Sequence, residues 1–347
     1  MKRLLEKKNS KTQRTSLTLT FVVICLVLFK GCYPLQHASG HLSINWSQIP
    51  LEEAIDAEED ERYKKLLLEV EKIVAFANDF ILLEKSSNYT EYYRTDQDAL
   101  VYTVTAAEKL ALKPYKWWYP IIGELPFHGH YKKFEALNYA KEMVRRGYDV
   151  YIFGAPAYST LGWFTDPITT PMLKNGLFYL TEMIIHEMTH ATFYVKDQGG
   201  FNEQVASFVG RIGAEQYFRL QVPDGEKKLK EIKENRKKYR EFRKMMLGVA
   251  GEAKKLYAKN LTSEQILEQR EMLFEETIKK IFEMYPNSSE NFRVVNNARL
   301  MQFKRYRSDS QYLVDIFQEN SNWKDFWNEL KNNTESVLED YKKFNDS

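Results

Sequence analysis

The amino-acid sequence predicts an α+β fold that is mostly helical. Long stretches place apolar residues three and four positions apart, as helices do, whereas strand-like alternation is confined to short runs. With 347 residues, 44% of them hydrophobic, the chain can bury a real core in one large domain or two closely joined lobes. A net charge of +2 gives no reason to expect a nucleic-acid or polyanion partner.

The first 32 residues are predicted to be a leader outside the fold. Six basic residues precede an apolar run at 17–29, which is short for a membrane-spanning helix but typical of a secretion signal. The run ends in Lys30-Gly31-Cys32, which resembles a bacterial lipobox and makes Cys32 the candidate lipidation site. We expect an exported, membrane-tethered protein. An uncleaved signal anchor and an ordinary cleaved signal are the alternatives.

Both cysteines of the chain, Cys25 and Cys32, lie in this leader. The rest of the chain therefore contains no disulfide and no thiolate. Any metal site outside the leader must use histidine and carboxylate ligands.

The elements after the leader alternate between helix and short strand. Residues 51–83 have a helical apolar stripe, and residues 134–146 are predicted as a helix that ends at Gly147. Residues 101–105 and 149–153 alternate as short strands.

The next predicted helix carries the most informative motif of the chain. Thr170-Pro171 has the sequence of an N-cap followed by proline at the first helical position, and Gly199-Gly200 is a plausible stop. Between them lies His186-Glu187-x-x-His190, whose two imidazoles project from one helix face. Such a pair can take two corners of a tetrahedral Zn²⁺ site, with Glu187 placed to deprotonate a water molecule.

A third protein ligand is expected from the following helix. Asn202 can cap a helix whose first turn carries Glu203, and Ala206 and Gly210 are small enough for close packing on the histidine helix. Asn202-Glu203-x-x-Ala206 resembles the gluzincin pattern, in which the glutamate is the third zinc ligand. The 12 residues between His190 and Glu203 are fewer than in thermolysin-like and aminopeptidase gluzincins.

Other residues of the sequence are also potential metal ligands. Glu215 is the alternative third ligand, and Asp197 is unsuitable because it is predicted two turns along the histidine helix. His128 and His130 could form a second metal pair, since residues i and i+2 share a face of a strand. We prefer to interpret those two histidines as loop or cleft side chains.

A strand and an aromatic loop at 154–168 precede the histidine helix. Zincins present an edge strand in this place, to which the substrate backbone pairs by β-augmentation. The candidate substrate-binding residues of this segment are Tyr158, Ser159 and Trp163.

The C-terminal part of the chain is predicted to be helical. Residues 225–259 are dense in charge and are expected to form a solvated helical arm, with a membrane-surface or anionic-partner role as the alternative. A capped helix follows from Thr262 to about Met284, and residues 296–341 are helical again.

Candidates for stabilising a reaction intermediate come from this last region. In zincins a Tyr, His or Arg from this side of the chain commonly stabilises the tetrahedral oxyanion. Tyr306 and Arg299 are the candidates here, and Asn297 is a candidate for binding the substrate backbone. The alternatives are helix packing for Tyr306 and a structural ion pair for Arg299.

Taken together, these motifs resemble a bacterial family of predicted zinc aminopeptidases. The matching pieces are Gly31-Cys32-Tyr33, residues 157–164, Asp166-Pro167, the histidine motif, Phe201-Asn202-Glu203 and residues 296–300. The resemblance spans residues 31 to about 330 and implies a zincin-like gluzincin fold, one zinc ion per chain and peptide hydrolysis at amino termini. The Gly-x-Met-x-Asn signature of better-known aminopeptidases is absent from the sequence.

We therefore expect release of N-terminal residues from peptides by a water molecule that zinc activates and Glu187 deprotonates. The alternatives are a membrane-tethered zinc endopeptidase and a non-catalytic, zinc-stabilised scaffold. The expected organisation is an anchor at 1–32, an N-terminal and zinc-binding catalytic region at 33–220, and a helical region at 221–347 that completes the cleft. The expected partners are a peptide substrate and the membrane, and no obligate protein partner is evident.

Overall fold

The computed structural model describes residues 47–119, 123–156, 166–305, 311–320 and 322–346. The chain divides into two compact units, one of Met1–Ser47 with Trp118–Leu125 and one of Gln48–Trp117 with Pro126–Ser347. The predicted leader, with Cys32, lies outside the described residues. In the part that is described, no helix is long and apolar enough to cross a membrane.

Most of the described chain is helical, as predicted, with connections that are mostly short. The helices are α1 (Leu51–Ala57), α2 (Glu61–Asp79), α3 (Lys133–Arg145), α4 (Thr170–Leu173), α5 (Leu177–Thr192), α6 (Gly199–Gln221), α7 (Gly225–Tyr257), α8 (Ser263–Met284), α9 (Glu290–Arg293), α10 (Asn297–Arg305), α11 (Gln311–Asn320), α12 (Trp323–Asn332) and α13 (Thr334–Asp346).

The strands are short and form small sheets. The strands are β1 (Ile49–Pro50), β2 (Glu91–Tyr93), β3 (Val101–Ala107), β4 (Trp117–Tyr119), β5 (Gly123–Leu125), β6 (His128–His130), β7 (Asp149–Ala155) and β8 (Ile168–Thr169). They pair in the orders β1-β2-β8, β6-β3-β7 and β4-β5. In the antiparallel β6-β3-β7 sheet, Thr103 lies opposite both Gly129 and Phe153. The strands predicted at 101–105 and 149–153 are thus confirmed.

Two edge strands precede the histidine helix α5. β7 is an edge of the β6-β3-β7 sheet, and this sheet packs against α3 and α10. β8, which is closer to α5 in sequence, is an edge of the other three-stranded sheet and pairs in parallel with β2. Helix α5 itself packs mainly against α6 and α2.

The long helix predicted over 51–83 is divided into α1 and α2. The division falls at the acidic stretch before α2, where Asp60 caps the new helix by accepting hydrogen bonds from the backbone N–H groups of Arg62 and Tyr63 at 2.8 and 3.3 Å. An aspartate in this position satisfies N–H groups that the first helical turn leaves unpaired, so it favours a helix start over continuation.

The histidine helix is also shorter than the helix predicted between Thr170-Pro171 and Gly199-Gly200. Thr170 and Pro171 belong to the separate helix α4, and the chain then breaks at Gly176, whose φ of +83° favours glycine. Helix α5 ends at Thr192, and Gly199-Gly200 begins the next helix instead of stopping the first.

The main core surrounds α5. Buried apolar side chains from α2, α5, α6 and α12 form one contiguous cluster, which includes Leu67, Ile73, Leu180, Ile184, Ile185, Val205, Phe208, Phe326 and Trp327. The indole N–H of Trp327 donates to the Ile81 carbonyl at 2.8 Å, so helix α12 is also fixed to the end of α2 by a buried hydrogen bond. The cluster therefore holds α5 on several sides.

A second core joins α7, α8 and α10. Its buried members include Phe242, Met246, Ala250, Phe274, Ile281 and Leu300. A buried ion pair, Arg270 Nη1 to Asp149 Oδ2 at 2.9 Å, links α8 to β7. The capping box predicted for α8 is confirmed, because the Thr262 hydroxyl accepts from Gln265 N and the Gln265 side chain accepts from Thr262 N.

The charge-dense segment forms α7, but it is a packed helix and not a free solvated arm. Leu229, Phe242 and Met246 are buried. Arg236 of α7 forms an ion pair with Glu182 of α5, and its guanidinium lies 4.7 Å from the Phe178 ring centroid. The apolar positions in the segment therefore decide its place. Arg243 is buried as well, whereas most other charged residues of the segment are exposed.

Candidate metal centre

Helix α5 is apolar around most of its circumference, which suits its buried place. Its threonines satisfy their hydroxyl groups within the helix: Thr181, Thr189 and Thr192 donate to carbonyl oxygens four residues earlier at 2.8–3.0 Å. His186 and His190 lie one turn apart on the face that meets α6. The motif is therefore held on a rigid, buried element.

The structure brings Glu203 of α6 to this histidine pair. The Nε2 atoms of His186 and His190 are 3.3 Å apart. The Glu203 carboxylate places Oε2 3.5 Å from His186 Nε2 and Oε1 3.6 Å from His190 Nε2. Two ligand atoms about 2.1 Å from a Zn²⁺ ion at the tetrahedral angle lie about 3.4 Å apart. The three side chains are thus close enough together to hold one metal ion, at spacings near those of a tetrahedral site.

Two of the three groups also have charges that suit a metal ion. Burial lowers the pKa of His190 to about 4, with a further contribution from His186, so His190 is neutral near pH 7. Burial opposes the charged form of Glu203, but the hydrogen bond to His186 and the charges of both histidines lower its pKa below the usual value. A neutral imidazole and an ionised carboxylate are the forms that bind zinc. For His186, burial disfavours the charged ring, but the hydrogen bond to Glu203 and the charges of Glu187, Glu203 and Glu182 outweigh it and raise the pKa above the usual value.

Asn202 fixes the connection between α5 and α6. Its Oδ1 accepts from the backbone N–H of Val195 at 2.9 Å, and its Nδ2 donates to the carbonyl of the same residue at 2.8 Å. Asn202 was predicted to cap α6, but this helix starts at Gly199 with Gln198 in the cap position. Asn202 instead binds back to the connector, one residue before Glu203.

Small residues on α6 allow it to approach α5 closely. A Cβ built on Gly210 would lie 2.7 Å from the Glu182 carbonyl oxygen and 3.2 Å from His186 Cβ. A Cβ on Gly213 would lie 2.6 Å from Ile81 Cδ1 and 3.0 Å from Ile185 Cδ1. The close packing predicted at Gly210 is confirmed, and it is what allows a carboxylate of α6 to reach ligands on α5.

Other candidate ligands have different partners. Glu215 pairs with Arg219 at 3.3 Å and with Lys233 at 3.2 Å. Asp197 lies in the connector after α5, with a φ of +61°. Among the described residues, the only group of three or more His, Cys, Asp or Glu side chains with ligand atoms within 4.8 Å of one another is His186, His190 and Glu203.

His128 and His130 lie in β6 on one face of the sheet, as the i, i+2 spacing predicts. Their rings stack with centroids 4.7 Å apart, and the His128 ring stacks on Tyr139 at 4.5 Å. Burial lowers the pKa of His130 to about 4. In the described part of the chain no third ligand joins this pair, which agrees with their interpretation as packed side chains.

Two predicted site residues lie in the second core. The Arg299 guanidinium donates to the carbonyl oxygens of Phe292 and Val294 at 2.5 Å each. It is surrounded by aromatic rings whose centroids lie 5.2–5.6 Å away, those of Tyr151, Phe242, Phe292 and Phe303. These contacts hold loop and helix together, and none of these partners belongs to the candidate metal centre.

The polar groups of Asn297 are likewise bound to structural partners outside the candidate metal centre. Its backbone N–H donates to Asp149 Oδ2 at 3.0 Å, and its Oδ1 accepts from the Tyr257 hydroxyl at 2.7 Å. Its Nδ2 donates to carbonyl oxygens of the segment before β4, the best at 2.8 Å on Glu108. The remaining predicted site residues, Tyr158, Ser159, Trp163 and Tyr306, lie outside the described residues.

Sequence reasoning did not identify the aromatic neighbours of Glu187. The Glu187 carboxylate is close enough to the hydroxyls of Tyr89 and Tyr179 to contribute to the raised pKa of each, after burial as the main cause. Tyr179 lies on α5, two turns before Glu187, so helical spacing could have indicated it. Tyr89 comes from an irregular segment almost a hundred residues earlier, and nothing in the sequence pattern signals it.

Comparison with protein-family models matches residues 32–343 to the Aminopep family, described as "Putative aminopeptidase". No curated protein and no solved structure matches the chain.

Proposed function

Because the chain belongs to the Aminopep family, we propose that it is a zinc-dependent peptidase that releases N-terminal residues from peptides. The observation that carries the proposal is the spacing of 3.3–3.6 Å among His186, His190 and Glu203, which suits a tetrahedral zinc ion. Three protein ligands leave the fourth corner open, as in catalytic zinc sites, whereas structural sites are closed by four.

The roles of the residues follow from this arrangement. A zinc ion bound to these three side chains would polarise the peptide carbonyl and lower the pKa of a water molecule at the open corner. Glu187 takes the proton of the attacking water and delivers it to the leaving amine. Glu203 offsets part of the metal charge, and neutral His190 keeps its Nε2 lone pair available as a ligand.

The proposal also assigns groups that act on the substrate. Tyr306 is the proposed donor to the oxyanion, and Tyr158, Ser159 and Trp163 are the proposed substrate-binding residues. Arg299 and Asn297 are left out of the catalytic set, because their polar atoms bind backbone and core partners.

Membrane attachment is a separate part of the proposal. We propose that the leader directs export and that lipidation of Cys32 tethers the chain to the cell envelope. Replacement of Cys32 by Ser is expected to move the protein from the membrane fraction to the soluble fraction. Retention of the variant in the membrane fraction would favour an uncleaved signal anchor.

An assay with free and blocked substrates tests the proposed activity. The full chain, purified without chelator, is expected to contain about one zinc ion and to cleave aminoacyl fluorogenic substrates but not their N-blocked counterparts. Glu187→Gln is expected to retain zinc and to lose activity by about 100-fold or more.

The assay also separates the alternatives. Cleavage of blocked or internal peptides would identify an endopeptidase. Bound zinc without turnover, or Glu187→Gln with wild-type activity, would contradict the proposed role of Glu187. The first of these results would favour a zinc-stabilised scaffold, although a structural site has no use for the Glu187 carboxylate.

A further inference from the structure

Tyr89 is held firmly at the side of the histidine helix. The segment that carries it starts at Glu84, whose backbone N–H donates to the hydroxyl of Thr192 at the end of α5 at 2.9 Å. Tyr89 N donates to the Asp166 carbonyl at 2.8 Å. Both ends of the segment are therefore fixed, and the Tyr89 side chain lies in the core cluster with Met183 and Ile184 of α5.

The backbone of Tyr89 adopts a conformation that tyrosine rarely takes. Its φ is +69°, in the left-handed region, where a side chain with a Cβ is strained. Strained backbone of this kind persists only where surrounding contacts impose it, and it is concentrated at functional sites.

The hydroxyl of Tyr89 is buried without a hydrogen bond. Tyr89 is 3% exposed, and its Oη has no hydrogen-bond partner among the described residues. Buried tyrosine hydroxyls normally find a partner, because an unpaired one lowers stability. Two other buried tyrosines of the same core follow that rule: Tyr92 pairs with Thr170 Oγ1 and Tyr217 with Glu69 Oε2, both at 2.9 Å.

The surroundings keep the Tyr89 phenol protonated. Burial, followed by the nearby carboxylates of Glu187 and Asp166, raises its pKa well above the ordinary value. A protonated phenol among carboxylates is a hydrogen-bond donor that lacks an acceptor. Catalytic hydrogen bonds are often long or misaligned without substrate and shorten only in the complex.

We propose that Tyr89 is a positioning residue for Glu187, whose carboxylate accepts a hydrogen bond from the Tyr89 hydroxyl when substrate is bound. One oxygen of Glu187 is then held by Tyr89, and the other takes the proton of the attacking water. This inference rests on the proposed function, since it gives Glu187 the role of general base.

Two phenylalanine variants of the full, zinc-loaded chain test the proposal. Tyr89→Phe removes an unpaired hydroxyl, so its melting temperature is expected to equal or exceed that of the wild type. Its kcat is nevertheless expected to fall about tenfold or more, with KM and zinc content little changed. Tyr217→Phe is the matched control: it removes a paired hydroxyl, so the melting temperature should fall while kcat stays at the wild-type value.

Each result decides for or against the proposal. Tyr89→Phe with wild-type kcat overturns it, as does a loss of kcat accompanied by a melting temperature lowered as far as in Tyr217→Phe. Glu187→Gln, measured beside them, separates the two levels of inference. If Glu187→Gln is inactive and Tyr89→Phe is fully active, only the role of Tyr89 is wrong. If Glu187→Gln has wild-type activity, the proposed function fails and the role of Tyr89 fails with it.

Discussion

Gly210 of α6 lies directly against His186 of α5. A Cβ at Gly210 would be 3.2 Å from His186 Cβ and 3.3 Å from His186 N. The nearest atom to that position is the backbone oxygen of Glu182, at 2.7 Å, which can move only if the whole helix moves. The distance between α5 and α6, and with it the position of Glu203, depends on this glycine.

Gly210→Ala is therefore expected to weaken zinc binding by about tenfold or more and to destabilise the fold by about 1–3 kcal/mol. Zinc affinity by competition with a chelating dye and urea unfolding are the measurements. Gly251→Ala is the control, because a Cβ at Gly251 in α7 meets nothing within 4 Å. That change should stabilise the protein by about 0.5–1 kcal/mol and leave zinc affinity unchanged. If Gly210→Ala and Gly251→Ala had the same zinc affinity and the same stability, close packing of α5 and α6 would not determine the position of Glu203.

Asn202→Ala is expected to destabilise the protein by about 1–3 kcal/mol, because it leaves the backbone N–H of Val195 without its partner, while the Val195 carbonyl still accepts from Gln198 N at 3.3 Å. Zinc affinity should fall as well, since the connector directs the start of α6 and Glu203. Urea unfolding and zinc titration measure the two effects. Asn138→Ala, at an exposed position of α3, should change stability by less than about 0.5 kcal/mol. If Asn202→Ala had the stability and zinc affinity of the wild type, other contacts would fix the connector.

Zinc added to the metal-free chain is expected to raise the melting temperature, because the ion binds the folded ligand set and not the unfolded chain. At a free zinc concentration 100 times the Kd, the stabilisation is about 2.7 kcal/mol. Mg²⁺, which prefers oxygen ligands, should have no comparable effect. His190→Ala should abolish the zinc-dependent shift, whereas His130→Phe should retain it. A zinc-dependent shift that survives in His190→Ala would place the ion elsewhere.

His130 is expected to make stability depend on pH. Its folded pKa of about 4 lies below the unfolded value of 6.5, because burial disfavours the charged ring. The unfolded chain therefore binds the proton first as pH falls. The contribution of His130 is fully present above pH 6.5 and is lost as pH falls toward 4, with a loss of about 2 kcal/mol between pH 7 and pH 5.

His130→Phe should remove this part of the pH dependence. Urea unfolding of the wild type and the variant at pH 7 and pH 5 gives the comparison. An identical loss of stability in both proteins would show that His130 does not contribute.

The parts of the fold that were predictable have strong local signals. The capping box at Thr262 and Gln265 marked the start of α8, and the i, i+4 histidines marked the face of α5 that meets α6. Boundaries were less predictable where two signals compete. Thr170 and Pro171 do lie in the first turn of a helix, but Thr169 and not Thr170 takes the cap position, and Gly176 interrupts the helix six residues after Thr170. The sequence predicts that Gly199-Gly200 stops a helix. In the structure, Asn202 binds Val195 in the connector that precedes these glycines, and the two glycines form the first residues of α6.

The site was predictable to the extent that its residues are close in sequence. Glu203 follows the histidines by one helix, so its approach could be inferred from residue type and spacing. Only residue type indicates Arg299 and Asn297 as candidates. Residue type does not reveal that Asp149 accepts from Asn297, or that the carbonyls of Phe292 and Val294 accept from Arg299. The place of Tyr89 depends on long-range contacts with Asp166 and Thr192, which a single sequence does not show.

The short connector between α5 and α6 has a consequence for the kinetics of folding. The three candidate ligands lie within residues 186–203, so only a small loop must close to bring them together. Contacts so close in sequence form faster than contacts between distant segments. A helical hairpin of this kind can capture a metal ion before the C-terminal helices have packed, and zinc present at the start of refolding is then expected to increase the refolding rate.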